Sequence, residues 1–309
     1  MSDSTQCHCE VSCTKSRECC DKHSGHCSEH GAEIQVHVHI HRHLHCCPSK
    51  TVCSVEQPAE KTDQKLDQKP DNPVKPIELP VIRFGFYGVA MGSPHYPELM
   101  VQVNAPSNYG VGGVYNKIRA VTTLDASKDI ISSALTAAQL KATYDVLSVG
   151  LHGSPFTVAE AVRLKEYAAL GGVVLLTCDG ATTAGMTNVL QQFGHTGVLT
   201  KATAVAYSGV ASATERLSSY FGDSSGVTLK GHSLLVVTSG QLPSGSRVLA
   251  TSGSNLLFWT VGATEGRVVA MSHFSLTQFD VAGTEIDNGQ ERFLNNMMAY
   301  LFDKVLEKR

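Results

Sequence analysis

Long apolar runs are missing from this 309-residue chain. None reaches the roughly 18 residues that a membrane-spanning helix needs. An excess of positive charge is missing as well. The 25 Lys and Arg against 28 Asp and Glu give a formal charge of −3, without the basic footprint of a nucleic-acid or anionic-membrane binder. The opening Met-Ser-Asp-Ser-Thr-Gln has neither the basic nor the apolar part of a secretory signal. These absences lead us to expect a soluble, cytoplasmic protein. Cysteine is nearly missing from the last four fifths of the chain, where Cys178 stands alone, and only five of the 14 histidines lie there.

What the second part lacks, the first part concentrates. Cys7, Cys9, Cys13, Cys19, Cys20, Cys27, Cys46, Cys47 and Cys53 all precede residue 54, together with His8, His23, His26, His30, His37, His39, His41, His43 and His45. Apolar content in residues 1–53 is too low to offset the entropy of ordering them, so fixed structure there requires metals or cross-links. Thiolate and imidazole donors suit zinc, copper(I) and other soft or borderline ions. In Val36–His45 the alternation is strict, so an extended chain would set five imidazoles on one face and Val36, Val38, Ile40 and Leu44 on the other. The spacings do not match a paired C-x-x-C finger, and neighbours such as Cys46-Cys47 are awkward in one tetrahedral site. The segment resembles metallothionein-like and histidine-rich buffering tails, in which many donors share several ions. The alternatives are a disulfide-tied secreted segment, which nine cysteines would leave with one unpaired, and an inert low-complexity tail.

Residues 54–79 are polar, with scattered proline and a near-repeat of Asp-Gln-Lys, and read as a disordered tether. Residues 80–309 read as an α/β domain. Val81–Ala90 is β-type, and the glycine-rich stretch Tyr109–Gly113 lacks the residues of a P-loop. That stretch reads instead as a tight turn into a short helix over Val114–Arg119. Tyr144–Gly150 and Val173–Thr177 are apolar runs of buried-strand type. Between them Thr157-Val-Ala-Glu160 is a capping box opening a helix that stops at Gly171-Gly172. A strand, helix and strand in this order demand a parallel crossover. Thr187–Phe193 reads as helix, Asn255–Val261 and Arg267–Met271 as strands joined by a turn, and Glu291–Lys308 as a terminal amphipathic helix. The fold class is a three-layer α/β/α sandwich with a mostly parallel sheet.

The order strand, His152-Gly-Ser-Pro155, capped helix, Gly-Gly, strand, Cys178-Asp179-Gly180, followed by Glu265-Gly-Arg-Val-Val-Ala-Met-Ser-His273 and a terminal helix with Asn295-Asn296, resembles the class I glutamine amidotransferase-like superfamily. The resemblance spans about residues 80–305. It is nearest to members without enzyme activity, the N-terminal modules of TRP channel-associated factors and the GIFT-type domains of intraflagellar transport proteins. It implies a flavodoxin-like, glutaminase-like fold. Catalytic members carry Gly-x-Cys-x-Gly at a sharp turn after a strand and His-x-Glu after a late strand. The matching positions here are Leu176-Thr-Cys178-Asp-Gly180 and His273-Phe-Ser275. Cysteine and histidine are present, which would permit a thiolate nucleophile. The first glycine is Leu176, the orienting carboxylate is Ser275, and Asp179 beside the sulfur disfavours its ionisation. His152, at the carboxyl end of a strand, reads as a turn-stabilising residue. His95, His195 and His232 read as isolated in polar surroundings. Asp280 and Asp287 are within sequence reach of His273.

Three readings of function follow. The first is a metal-binding tail on a non-enzymatic domain that binds a protein partner and carries no cofactor. The second is a cysteine-dependent hydrolase or amidotransferase-like enzyme using Cys178 and His273. The third is a metal buffer or sensor whose α/β domain reports occupancy of the tail.

Overall fold

The computed structural model describes residues 78–87, 97–126, 135–150, 156–178, 183–201 and 206–309. The cysteine- and histidine-rich segment 1–53 and the linker up to residue 77 lie outside the described residues, as do Gly88–Ala90, His95, His152, Asp179 and Gly180.

The strands are β1 (Val81–Tyr87), β2 (Ala120–Asp125), β3 (Val146–Gly150), β4 (Val173–Thr177), β5 (Thr200–Lys201), β6 (Ala206–Ala211), β7 (Thr228–His232), β8 (Leu235–Val236), β9 (Arg247–Ser252), β10 (Asn255–Thr260) and β11 (Val268–Met271). The α-helices are α1 (Pro97–Asn104), α2 (Ala137–Thr143), α3 (Val158–Ala169), α4 (Thr183–Gln192) and α5 (Gly289–Leu306). One sheet has the order β2-β1-β3-β4-β11-β10-β9-β6-β7, and β5 pairs with β8 separately. The block from β2 to β11 is parallel throughout. The remaining pairings are antiparallel, so only β10 and β6 run against the common direction.

β3 and β4 are buried along their whole length, because helices cover both faces of a central parallel strand. Inside the crossover that joins them, Thr157 Oγ1 accepts the Glu160 N–H at 3.2 Å and Glu160 carboxylate accepts the Thr157 N–H at 2.7 Å. Gly171, with φ +87°, ends the helix in a left-handed conformation. Equivalent capping boxes start α2 at Thr136 and α5 at Asn288. One core packs α1 and α5 on the sheet through residues such as Leu99, Phe293, Met297 and Leu301. The other packs α2, α3 and α4 on the opposite face through Leu140, Leu164, Tyr167, Met186 and Leu190. The described part of the chain from residue 78 onward is a three-layer α/β/α sandwich. Among the described residues no helix is long and apolar enough to cross a membrane.

The expected helix over Val114–Arg119 is not formed. Its backbone is committed to the loop instead: the Tyr115 N–H donates to Asn108 O at 2.8 Å, Tyr115 O accepts the Gly110 N–H, and the Arg119 N–H donates to Pro80 O at the start of β1. Tyr115 and Ile118 are then drawn into the core beneath α5.

Candidate functional site

In the register of β4 and β11, Thr177 lies opposite Met271, and the Cys178 N–H donates to Met271 O at 3.0 Å. Cys178 is therefore the first residue beyond β4, and His273 the second beyond β11. The two motifs noted in the sequence meet at the carboxyl edge of adjacent parallel strands, where sites gather in open α/β sheets. Both residues are buried.

Their surroundings differ. The Cys178 side chain belongs to the apolar core on the α2–α4 face, with Leu176 and Met186. His273 opens a short 3₁₀ turn over Phe274–Thr277, whose Leu276 joins the core on the α5 face. His273 Nδ1 accepts the Ser275 N–H at 3.1 Å and lies 2.9 Å from Ser275 Oγ.

Ser275 is bound in turn to an outer strand. Its hydroxyl donates to His232 O at 2.7 Å and accepts the His232 N–H at 2.8 Å. Asp280 and Asp287 do not serve His273. Asp280 pairs with Lys230 at 2.7 Å, and Asp287 lies in the turn that the Glu291 carboxylate ties to the start of α5.

Sequence reasoning missed two residues. Tyr207, on β6, turns its phenol toward Ser272 and Ser275, and burial pushes that phenol up to about 12 against the opposite pull of the two hydroxyls. Neither Tyr207 Oη nor Ser272 Oγ makes a hydrogen bond of normal geometry. Nothing local in Ala-Tyr-Ser-Gly foretells this, since it follows from an antiparallel strand arriving beside β9. His195 is also buried, against Trp259, rather than in polar surroundings. Burial lowers its pKa, against a smaller upward pull from the Thr196 carbonyl. The chain turns inward there because the His195 N–H closes the end of α4 on Leu190 O.

Among the described residues no group of three or more His, Cys, Asp or Glu is placed to hold a metal ion. The donors expected to do so, from Cys7 to Cys53, lie outside the described residues.

No protein-family model matches the chain. No curated protein matches it either. Solved structures similar to it include the mmIFT52 N-terminal domain, at 12% identity and TM-score 0.42 over 73% of this chain and 97% of that one. Another is the glutaminase domain of Trypanosoma brucei CTPS with bound acivicin, at 8% identity and TM-score 0.43 over 74% and 95%. A third is the cytoplasmic protein STM3548 of Salmonella typhimurium, at 11% and 0.43 over 73% and 98%.

Proposed function

We propose that this chain binds zinc or copper ions through residues 1–53 and carries a glutaminase-like α/β domain that acts by contact with a protein partner rather than by catalysis. The carrying observation is nine cysteines and nine histidines within 53 residues. A reducing compartment such as the cytoplasm keeps those thiols available as ligands. The non-catalytic half of the reading is supported by Ser275, whose N–H and hydroxyl take the side of His273 that an orienting carboxylate would serve. The test is native mass spectrometry of the full chain purified without chelator under reducing conditions. Bound zinc or copper that is lost when the nine N-terminal cysteines become serine and the nine N-terminal histidines become alanine supports the proposal. A metal-free mass, or retention by that variant, overturns it.

A second reading has one observation in its favour, the placement of Cys178 and His273 at one edge of neighbouring strands. It requires a thiol activated by its surroundings. If Cys178 in the full chain reacts with iodoacetamide at neutral pH faster than an ordinary thiol and His273→Ala abolishes the excess rate, the cysteine-dependent reading is favoured over the interaction reading. An ordinary or slower rate leaves the interaction reading standing.

A further inference from the structure

The opposite, amino edge of the sheet holds a cleft of about 500 Å³ that neither reading above uses. Its walls are the ends of α3 and α4 and the turn between β10 and β11, with Phe193 and Pro243 among its apolar lining. A cleft of this size is in the range of small-ligand sites. Three cationic side chains reach it, Lys165, Arg267 and Lys308.

Arg267 is the informative one. Its side chain is only 3% exposed. Nη1 donates to Lys304 O at 2.5 Å and Gly171 O at 3.4 Å, and Nη2 meets Glu307 at 3.5 Å. Those contacts close the end of α5 and account for the guanidinium except at Nε, which is buried and makes no hydrogen bond. A buried donor of a charged group left without a hydrogen bond is costly.

The nearest acceptor is Glu265. Its carboxylate forms ion pairs with Arg267 Nε and Lys308 Nζ, each at 3.7 Å and too long for a hydrogen bond, and its side chain is 72% exposed. The backbone that presents it is strained, with Ala263 at φ 59° and Glu265 at φ 53°, a left-handed conformation that residues other than glycine disfavour.

Helix ends could cancel this positive lining, since each C-terminus contributes roughly −0.5 charge. The carbonyls there are already bonded, Glu166, Tyr167 and Ala168 by the N–H groups of residues 170–172, and Leu190 and Gln191 by those of 193–195. Glu307 is matched by Lys304 at 2.8 Å, and set against three cations, the three helix ends, that of α5 included, and Glu265 leave a net charge of about +0.5.

We propose that this cleft is a recognition site for a carboxylate-bearing ligand, with the carboxylate held between Lys165 and Lys308 beside the buried Arg267 guanidinium, and Glu265 as an internal competitor at the mouth. The chemistry is shared by a free dicarboxylate and by the acidic side chains of a peptide. It is independent of what residues 1–53 bind.

The experiment uses the full chain with two probes, glutarate followed by calorimetry and a fluorescein-labelled hexaglutamate followed by anisotropy. At least one probe is expected to bind. Lys165→Glu with Lys308→Glu should weaken it about tenfold or more, and Glu265→Gln should tighten it by about threefold, both effects shrinking in salt. All three residues are exposed, so the fold should be retained, and Glu265→Gln decides alone if the double variant melts early. Tighter binding of glutarate marks a small-molecule site and tighter binding of hexaglutamate a peptide site. No binding of either probe at millimolar concentration overturns the proposal, as does binding that Glu265→Gln leaves unchanged or weakens.

Discussion

Replacing Asp145 by asparagine takes one negative charge from a side chain that is 1% exposed and surrounded by cations. Arg83 reaches it through Nη2 at 2.9 Å, Nε at 3.1 Å and its backbone N–H at 2.9 Å. Arg309 adds a bond of 2.7 Å, and Lys141 stands 3.8 Å away. Breaking a buried ion pair by removing one partner costs about 3–5 kcal/mol. Arg83 and Arg309 are 37% and 34% exposed, and solvent screening reduces the loss to about 2–3 kcal/mol. In a domain of this size that lowers the melting temperature by roughly 5–10 °C. Burial alone would raise the Asp145 carboxyl, but the bonds from Arg83 and Arg309 outweigh it and hold the pKa below the ordinary value. The folded value is thus lower than the unfolded one. The stabilisation is complete at pH values above the unfolded pKa and is lost as pH falls through the folded pKa. Urea unfolding followed by the single tryptophan, Trp259, which is buried in the core on the α2–α4 face, reads the effect directly. A variant within about 0.5 kcal/mol of wild type at pH 7, or a difference that stays constant into strong acid, refutes the reasoning.

Three further outcomes are expected. Gln290 accepts the Lys230 N–H at 2.7 Å and donates to Lys230 O and Leu276 O, so Gln290→Ala should cost about 2–3 kcal/mol. It also bares the edge of β7, and size-exclusion chromatography should show self-association; a variant that stays monodisperse at every concentration counts against this role. Because burial lowers the His195 pKa below its unfolded value, His195 contributes stability above the unfolded pKa that falls away as pH drops through the folded one. His195→Asn should flatten the stability profile over that acidic interval, measured by urea titration at a series of pH values. Thr157→Ala removes half of the capping box of α3 and should cost about 1 kcal/mol in the same assay.

The parallel half of the fold was legible because its signals are local and agree with one another. Val173–Thr177 is apolar on both faces, Thr157 and Glu160 cap, Gly171 stops, and the crossover has one permitted hand. The antiparallel half was not legible. β6 and β7 read Ala-Tyr-Ser-Gly-Val-Ala and Thr-Leu-Lys-Gly-His, with glycine and small polar residues where strand propensity looks for bulk. Packing demands those glycines. A Cβ on Gly209 would lie 2.1 Å from Leu257 Cδ1 and 2.5 Å from Thr251 O, and one on Gly231 would lie 2.4 Å from Tyr207 Oη. Tertiary contact thus selects the residue that local propensity counts against. Of the candidate site, Cys178 and His273 could be placed at one edge from their motifs, whereas the fixation of Ser275 by β7 depends on a strand 43 residues away.

That fixation explains why position 275 holds a hydroxyl. The β7 edge presents both a donor and an acceptor at His232, and Ser275 Oγ meets both, accepting the N–H and donating to the carbonyl. A carboxylate could accept the N–H but has no proton for the carbonyl, which would be left facing negative charge. Glutamate at this position would orient an imidazole well and close the sheet badly. The antiparallel extension of the sheet and an orienting carboxylate for His273 therefore compete for one side chain, and in this chain the sheet holds it.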